Sequence, residues 1–414
     1  MTLDLLLSAL PEQNDLAPLR QALLRASAPD ASLAWSRAGA YATFDKRVIT
    51  AESVRAVVAE AAAAEHARID SLYAALGEVL ELAANGDHEG ACARLIAIGE
   101  AMEGENPQGS IAFYDVAARY SEGFANRRFR THALRRLGRA YGSIGDVDVA
   151  IAYFRSAFDQ ATAAGDAEAQ ILVAIGHGVV LGFQGRSAEA IEMYRDALER
   201  CAENYPRLRA HLAINLAAVL REAGDLDEAA AQLAAGTALW AELVPAEHSV
   251  WFNNRGLLSL TRGETDAAEA MFRQALETAP DAFDRSMVLD NLAELSIVRG
   301  NLEEAEAFAR QAEQHALTAG SPRALAEIYT RLGKIFRLRS DLNGVTFFEK
   351  ALELCRSRTY PLIEANAYLE YGIFRRILGD REDARSHFER AQQIAADIGT
   401  TQLHSAAASE LADL

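Results

Sequence analysis

A small residue followed by a polar one recurs along this chain at nearly constant intervals, and no other feature limits its fold so strongly. The pairs are Gly145-Asp146, Gly185-Arg186, Gly224-Asp225, Gly263-Glu264, Gly300-Asn301, Ser340-Asp341 and Gly379-Asp380. They stand 40, 39, 39, 37, 40 and 39 residues apart. Helical patterns flank every pair, so each reads as the tight turn of a helical hairpin. Glycine takes the left-handed conformation that ends the first helix, and the polar residue favours the start of the second. Five residues after the turn comes a small residue: Ala150, Ala190, Ala229, Ala268, Ala305 and Ala384. Four further on the residue is usually large (Phe154, Tyr194, Leu233, Phe272, Phe388), with Ala309 in the fifth copy, and three beyond that it is small again, as at Ala157, Ala275 and Ala391. Seven residues before the turn, Gly138, Gly178, Ala217, Gly256, Ala293, Gly333 and Gly372 are small as well.

This phasing predicts a stack of antiparallel hairpins in place of the two or three globular domains that 414 residues would otherwise suggest. A small-large-small pattern at helical spacing lets two helices approach closely while one bulky side chain fills the space between them. Composition agrees, since Ala, Leu, Glu and Arg dominate while Pro numbers only 9. One hairpin cannot bury its apolar face alone, so neighbours stack and share stability across their interfaces. The sixth copy departs from the pattern: Ser340 occupies its turn and Phe348-Glu349-Lys350-Ala351 sits one residue early, which predicts irregular packing there.

Leu137-Gly138, Tyr141, Gly145, Ala150, Phe154 and Ala157 resemble, in order and spacing, the tetratricopeptide repeat, and Pro280 falls where that family often ends its second helix. The period near 39 residues is longer than the common 34. It is similar to the extended subtype of kinesin light chains, Leu-Gly-Asn-repeat adaptors and Rap-type bacterial regulators. The resemblance covers seven copies over residues 131–398. It implies an all-α fold, an α-α superhelix (a TPR solenoid), with the first helix of each hairpin on the concave side. Before it lie a helical extension at 1–70 and a degenerate repeat plus an extra helix at 71–130; a capping helix follows at 399–414. Short helices are expected over residues 1–28 and Ala31–Ala42, and a long Ala-rich helix from Thr50 to about Asn85. Gly86-Asp87, Ala91 and Leu95 look like half a repeat, and the extra helix is expected at about Ser110 to Glu122. Residues 1–70 carry seven basic and nine acidic side chains, a poor match for a DNA-binding helix-turn-helix. Two readings of this head stand: a helical cap that joins two copies as a homodimer, and a domain that engages an effector.

The concave side implied by the resemblance can be read residue by residue. Asn215, Asn254 and Asn291 recur at one position in three successive copies, with Asn253 adjacent. A row of amides suits an extended peptide, because each side chain can donate to a carbonyl and accept from an N–H. Each such bond contributes roughly 0.5–1.5 kcal/mol net, so a row matters where one member would not. The alternative is that these amides bond the neighbouring helix. Basic stripes flank the row. Arg128, His132, Arg135 and Arg139 share one helical face with Arg136 beside them, and Arg331, Lys334 and Arg337 take the corresponding face of the sixth copy, followed by Arg376. Arg forks suit carboxylates, which points to an acidic peptide or partner tail. Glu222, Asp290, Glu294 and Glu370 lie on the same side and compete as internal partners for those cations.

Other chemistry is faint. Formal charge is −18, which argues against nucleic acid and an anionic membrane as partners. Cys92, Cys201 and Cys355 are far apart and odd in number, giving neither a disulfide framework nor a metal knuckle. Gly176-His177-Gly178 with Gly182 imitates a phosphate loop, but no strand precedes it. Asp146-x-Asp148 and Asp225-x-Asp227 imitate only the start of a calcium loop. Trp240, Trp251, Tyr205-Pro206 and Tyr360-Pro361 flank linkers, where packing is the expected role. No segment approaches the ~20 apolar residues of a membrane span, and Met1 to Leu10 lacks the positive start of a signal peptide. The expectation is a non-catalytic, cytoplasmic, bacterial-type binding protein with no cofactor and no metal. Its runner-up is a peptide-sensing regulator, and a solenoid-based enzyme stands third.

Overall fold

Backbone pairing in this protein is almost entirely helical. The computed structural model describes residues 41–44, 47–50, 67–103, 107–201, 204–357 and 360–414. The helices expected over 1–28 lie outside that set. One expectation for the head is corrected. Tyr41–Phe44 (β1) and Arg47–Thr50 (β2) pair as an antiparallel hairpin, with Tyr41 opposite Thr50 and Phe44 opposite Arg47. The expected third helix therefore does not reach Ala42, and Thr50 ends a strand. Aromatic and β-branched residues crowd this stretch, and extended chain suits them better than helix.

The remaining elements are eighteen helices among the described residues. The first three are α1 (Ala67–Ala84), α2 (His88–Met102) and α3 (Pro107–Tyr120), the last followed by a 3-10 turn at Ser121–Gly123. Gly86 turns α1 into α2 at φ +83°, and Asp87 caps α2 by accepting from the Gly90 N–H at 2.8 Å. Seven hairpins follow. They are α4 (Arg128–Ile144) with α5 (Val147–Ala164), α6 (Ala167–Phe183) with α7 (Ser187–Cys201), and α8 (Pro206–Ala223) with α9 (Leu226–Ala238). Then come α10 (Pro245–Thr261) with α11 (Thr265–Thr278), α12 (Ala282–Val298) with α13 (Leu302–Thr318), and α14 (Pro322–Leu338) with α15 (Asn343–Ser357). The last hairpin joins α16 (Pro361–Ile377) to α17 (Arg381–Asp397), and α18 (Thr401–Ala412) ends the chain.

The recurring residues do the packing predicted for them. Phe154, Tyr194, Phe272, Phe348 and Phe388 are all at most 1% exposed. Each such side chain contributes roughly 1.5–3 kcal/mol by leaving water. The small residue opposite makes room: a methyl group on Gly256 would come within 2.6 Å of the Phe272 ring, and one on Gly372 within 2.6 Å of Phe388. The sixth hairpin is more regular than expected. Its second helix begins one residue late, at Asn343, yet Phe348 still fills the slot against Gly333. Gly344 absorbs the shift by lying flat against the Gly333 carbonyl and Phe374. Ser340 takes the left-handed conformation, at φ +55°, that glycine holds in the other six turns. Polar turn residues cap less uniformly than expected: Asp380 accepts from the Asp383 N–H, whereas Asp225 makes no side-chain cap bond.

The chain separates into two compact units, one of residues 1–140 with 153–169, the other of 141–152 with 170–414. In the second unit the first helices of successive hairpins touch directly, α8 on α10, α10 on α12, α12 on α14 and α14 on α16, and so make a continuous inner layer. That layer curls until its end meets its beginning. The Arg323 guanidinium stacks 3.7 Å from the centre of the Phe183 ring. The Tyr360 hydroxyl donates to the Ser143 carbonyl at 3.5 Å, and Ile398 and Thr400 pack on Gly185. No helix of the described residues is long and apolar enough to cross a membrane.

Candidate functional site

The inner layer of the second unit carries the three recurrent asparagines, each by a helix whose apolar face is buried behind it. Asn215 on α8 donates to the His211 carbonyl one turn earlier, at 2.9 Å. Asn291 on α12 donates to Asn253 Oδ1 on α10 at 2.8 Å, so one amide pair does bridge neighbouring hairpins. Asn254 differs from both. It is 8% exposed and its side chain makes no hydrogen bond among the described residues. The three recurrent amides are therefore not bonded to one another as a ladder, and Asn253, read only as a neighbour, is the one that reaches across.

The cations expected to receive acidic groups in this unit are already occupied. Arg331 holds Asp290 through Nη2 at 3.0 Å and also Glu294, while Lys334 holds Glu294 at 2.9 Å. Arg337 holds Glu370 at 2.8 Å, and Arg376 holds Glu410 at 2.8 Å. Burial pushes the Glu294 carboxyl up, but Arg331 and Lys334 outweigh it and hold that group below its ordinary range. Desolvation opposes the charge on Arg331, and Asp290 and Glu294 outweigh it. Sequence patterning identified these carboxylates as competitors, and the competition goes their way.

Further pairs lie on the same layer, of which sequence had indicated only Glu222. Glu327 pairs with Arg323 at 2.7 Å, and Glu222 with Arg221 at 3.2 Å. Burial pushes both carboxyls up, against the pull of Arg323 on each. Yet Glu222 keeps 35% of its side-chain surface exposed, so it is surrounded by protein while still facing water. Glu327 Oε2, Arg323 Nε and Arg221 Nε are buried and lack hydrogen-bond partners. Across the cluster, the five cations Arg221, Arg323, Arg331, Lys334 and Arg337 meet five carboxylates, Glu222, Asp290, Glu294, Glu327 and Glu370. Sequence had placed Glu222 on this side as a competing carboxylate; Glu327, Arg323 and Arg221 were not read, and the meeting of Arg323 with Phe183 depends on the curl of the layer.

In the first unit, α4 presents a different balance. Glu100 and Glu103 both go to Arg136, the latter at 3.4 Å. His132 lies 3.4 Å from Glu100, but burial and then Arg135, Arg136 and Arg128 push its ring down to about 4. Arg135 has no paired carboxylate among the described residues, and burial with its neighbours Arg136 and Arg139 pushes it down to about 10. Arg139 is exposed. This face therefore has more positive charge than its two glutamates neutralise.

The remaining motifs have structural roles. Gly178 sits mid-helix against the Tyr194 ring. Trp240 stacks on His248 at 4.0 Å and meets Trp251 edge-on, while Trp251 donates to the Leu233 carbonyl. Burial raises the Cys92 and Cys355 thiols to about 12, which leaves them unreactive. No group of three or more His, Cys, Asp or Glu able to hold a metal occurs among the described residues.

Four tetratricopeptide repeat family profiles match the chain, over residues 129–203, 171–243, 252–281 and 287–311. No curated protein sequence matches it. Among solved structures, it is similar to a Rap protein complexed with competence and sporulation factor, at 14% identity and a TM-score of 0.55, covering 80% of this chain and 99% of that one. It is also similar to the Rap conjugation gene regulator of the plasmid pLS20 in complex with a Phr peptide, at 12% identity and a TM-score of 0.51, covering 75% and 91%. BtubC from P. vanneervenii is 19% identical with a TM-score of 0.39, covering 51% and 89%.

Proposed function

The chain belongs to the tetratricopeptide repeat superfamily, and we propose that it is a non-catalytic binding scaffold whose inner face holds an extended peptide or the tail of a protein partner. The observation that carries this reading is Asn254. Its side chain is mostly covered, yet its amide atoms still reach water and bond no protein group among the described residues, which leaves them open to a ligand. An amide in that state, on the layer where tetratricopeptide arrays face inward, suits a ligand bringing both N–H and C=O groups. Peptide backbone offers both in alternation.

The ion-pair network modifies the ligand expected from sequence. Cations and carboxylates balance within this cluster, so it grips backbone more than charge.

The test is calorimetric titration with a peptide selected from a random library on the full-length protein. Asn254→Ala is expected to weaken binding about tenfold, the loss of one well-made bond to a buried partner, with helicity unchanged. Equal affinity in the variant removes Asn254 from the site.

A second reading has its own support. Two Rap regulators, solved with the factor or peptide named above, share this fold over most of their length. In that reading residues 1–70 engage an effector and the inner face is the switch. Deleting residues 1–70 separates the two: a scaffold keeps its partner, whereas a regulator keeps its peptide and loses its output.

A further inference from the structure

The first unit encloses a polar cavity away from the inner-face stripe. It lies where α3 gives way to the 3-10 turn and α4 begins, and Gln160 of α5 forms its far wall. Its volume is about 290 Å³, and its lining is Ser121, Glu122, Phe124, Arg127, Arg130 and Gln160. Helical spacing puts Arg127 and Arg130 on a different side of α4 from Arg135 and Arg139, so this is not an extension of the stripe.

Donors outnumber acceptors in this wall. Arg130 donates through Nη2 to Glu122 at 2.9 Å, but its Nε–H is buried and has no acceptor. Arg127 donates through Nη1 to the Gln160 side-chain oxygen at 3.2 Å, which leaves the amide nitrogen of Gln160 as a further donor. The Ser121 hydroxyl spends its hydrogen on the Ala117 carbonyl at 2.7 Å. Glu122 is the one carboxylate in the lining, and 66% of its side chain is exposed. Two guanidinium groups thus share the lining with one largely exposed carboxylate, which is held by Arg130 alone among the described residues. Each fork matches the spacing of two oxygens on one ligand group.

We propose that this cavity binds an oxyanion, a phosphate or carboxylate group gripped by Arg127 and Arg130, with Gln160 orienting the first of them. The ligand replaces Glu122 on the Arg130 Nη2.

The test uses full-length protein labelled with ¹⁵N, following the arginine Nε–H signals during separate titrations with inorganic phosphate and with acetate. The Arg130 signal, assigned by its loss in Arg130→Lys, is expected to move saturably with at least one of them. The tighter of the two identifies the source of the oxygens. Arg127→Gln and Arg130→Gln are each expected to weaken binding roughly tenfold or more. Glu122→Gln is expected to tighten it several-fold by removing the competing carboxylate, a gain that misfolding cannot produce. The proposal is overturned if neither anion moves the Arg130 signal saturably. It is equally overturned if Glu122→Gln brings no gain, or if Arg135→Gln abolishes binding while Arg127→Gln leaves it intact.

Discussion

Asp290, 4% exposed, shows most clearly what one residue contributes here. Its charge is tolerated because Arg331 meets it with both Nε and Nη2. Removing the arginine strands that carboxylate, and removing one partner of a buried pair costs about 3–5 kcal/mol. Arg331→Met is therefore expected to destabilise the protein by about 3 kcal/mol in urea unfolding, a loss of fold more than of ligand affinity. A change near zero would mean that Asp290 has another partner. His132 gives the second residue-scale prediction. Its folded-state pKa of about 4 lies below the unfolded value of 6.5, so the unfolded chain binds the proton first as pH falls. Its contribution to stability is complete above pH 6.5 and is lost as pH drops towards 4. Proton NMR should find the His132 ring neutral at pH 6. A midpoint at or above 6.5 would mean that nearby carboxylates outweigh burial and the three arginines. Such pairings were only half legible in sequence. Repeat position placed Asp290, Glu294 and Arg331 on one side, but which partner each chose depends on distances that spacing does not contain.

At the scale of the helix and its turn, sequence was a better guide, because turn glycines and small-large-small packing are local requirements with fixed spacing. The sixth hairpin marks where that local reasoning stops. Its one-residue shift is absorbed by a glycine contact, Gly344 on Gly333, which no pattern of side chains announces. Its turn retains the cost of Ser340 at φ +55°, since a Cβ disfavours left-handed backbone by roughly 1–2 kcal/mol. Ser340→Gly is expected to raise stability by about 0.5–1 kcal/mol, part of the relief being offset by the freer unfolded chain. Differential scanning calorimetry would register this as a higher Tm, and an unchanged or lower Tm would mean that the serine is not strained. The β1–β2 hairpin is the opposite case: its residues favour strands individually, but surrounding Ala-rich sequence concealed so short an element.

At the scale of the whole molecule, repetition made the architecture readable and left the binding chemistry less so. Three asparagines recur in phase, yet they fall into three different circumstances: Asn215 bonded to its own helix, Asn291 bonded to Asn253, and Asn254 unpartnered. Which neighbour each amide meets is set by local distances that a shared repeat position does not contain. A net charge of −18 says little about a ligand that meets only this balanced interior. The central claim is that this inner face grips peptide backbone through its amides. Its most direct test is calorimetric titration of a library-selected peptide into wild-type protein and into the variant carrying Asn215→Ala, Asn254→Ala and Asn291→Ala together, with helicity matched by circular dichroism. Binding that disappears in the triple variant is the predicted result, and equal affinity in both proteins would contradict it.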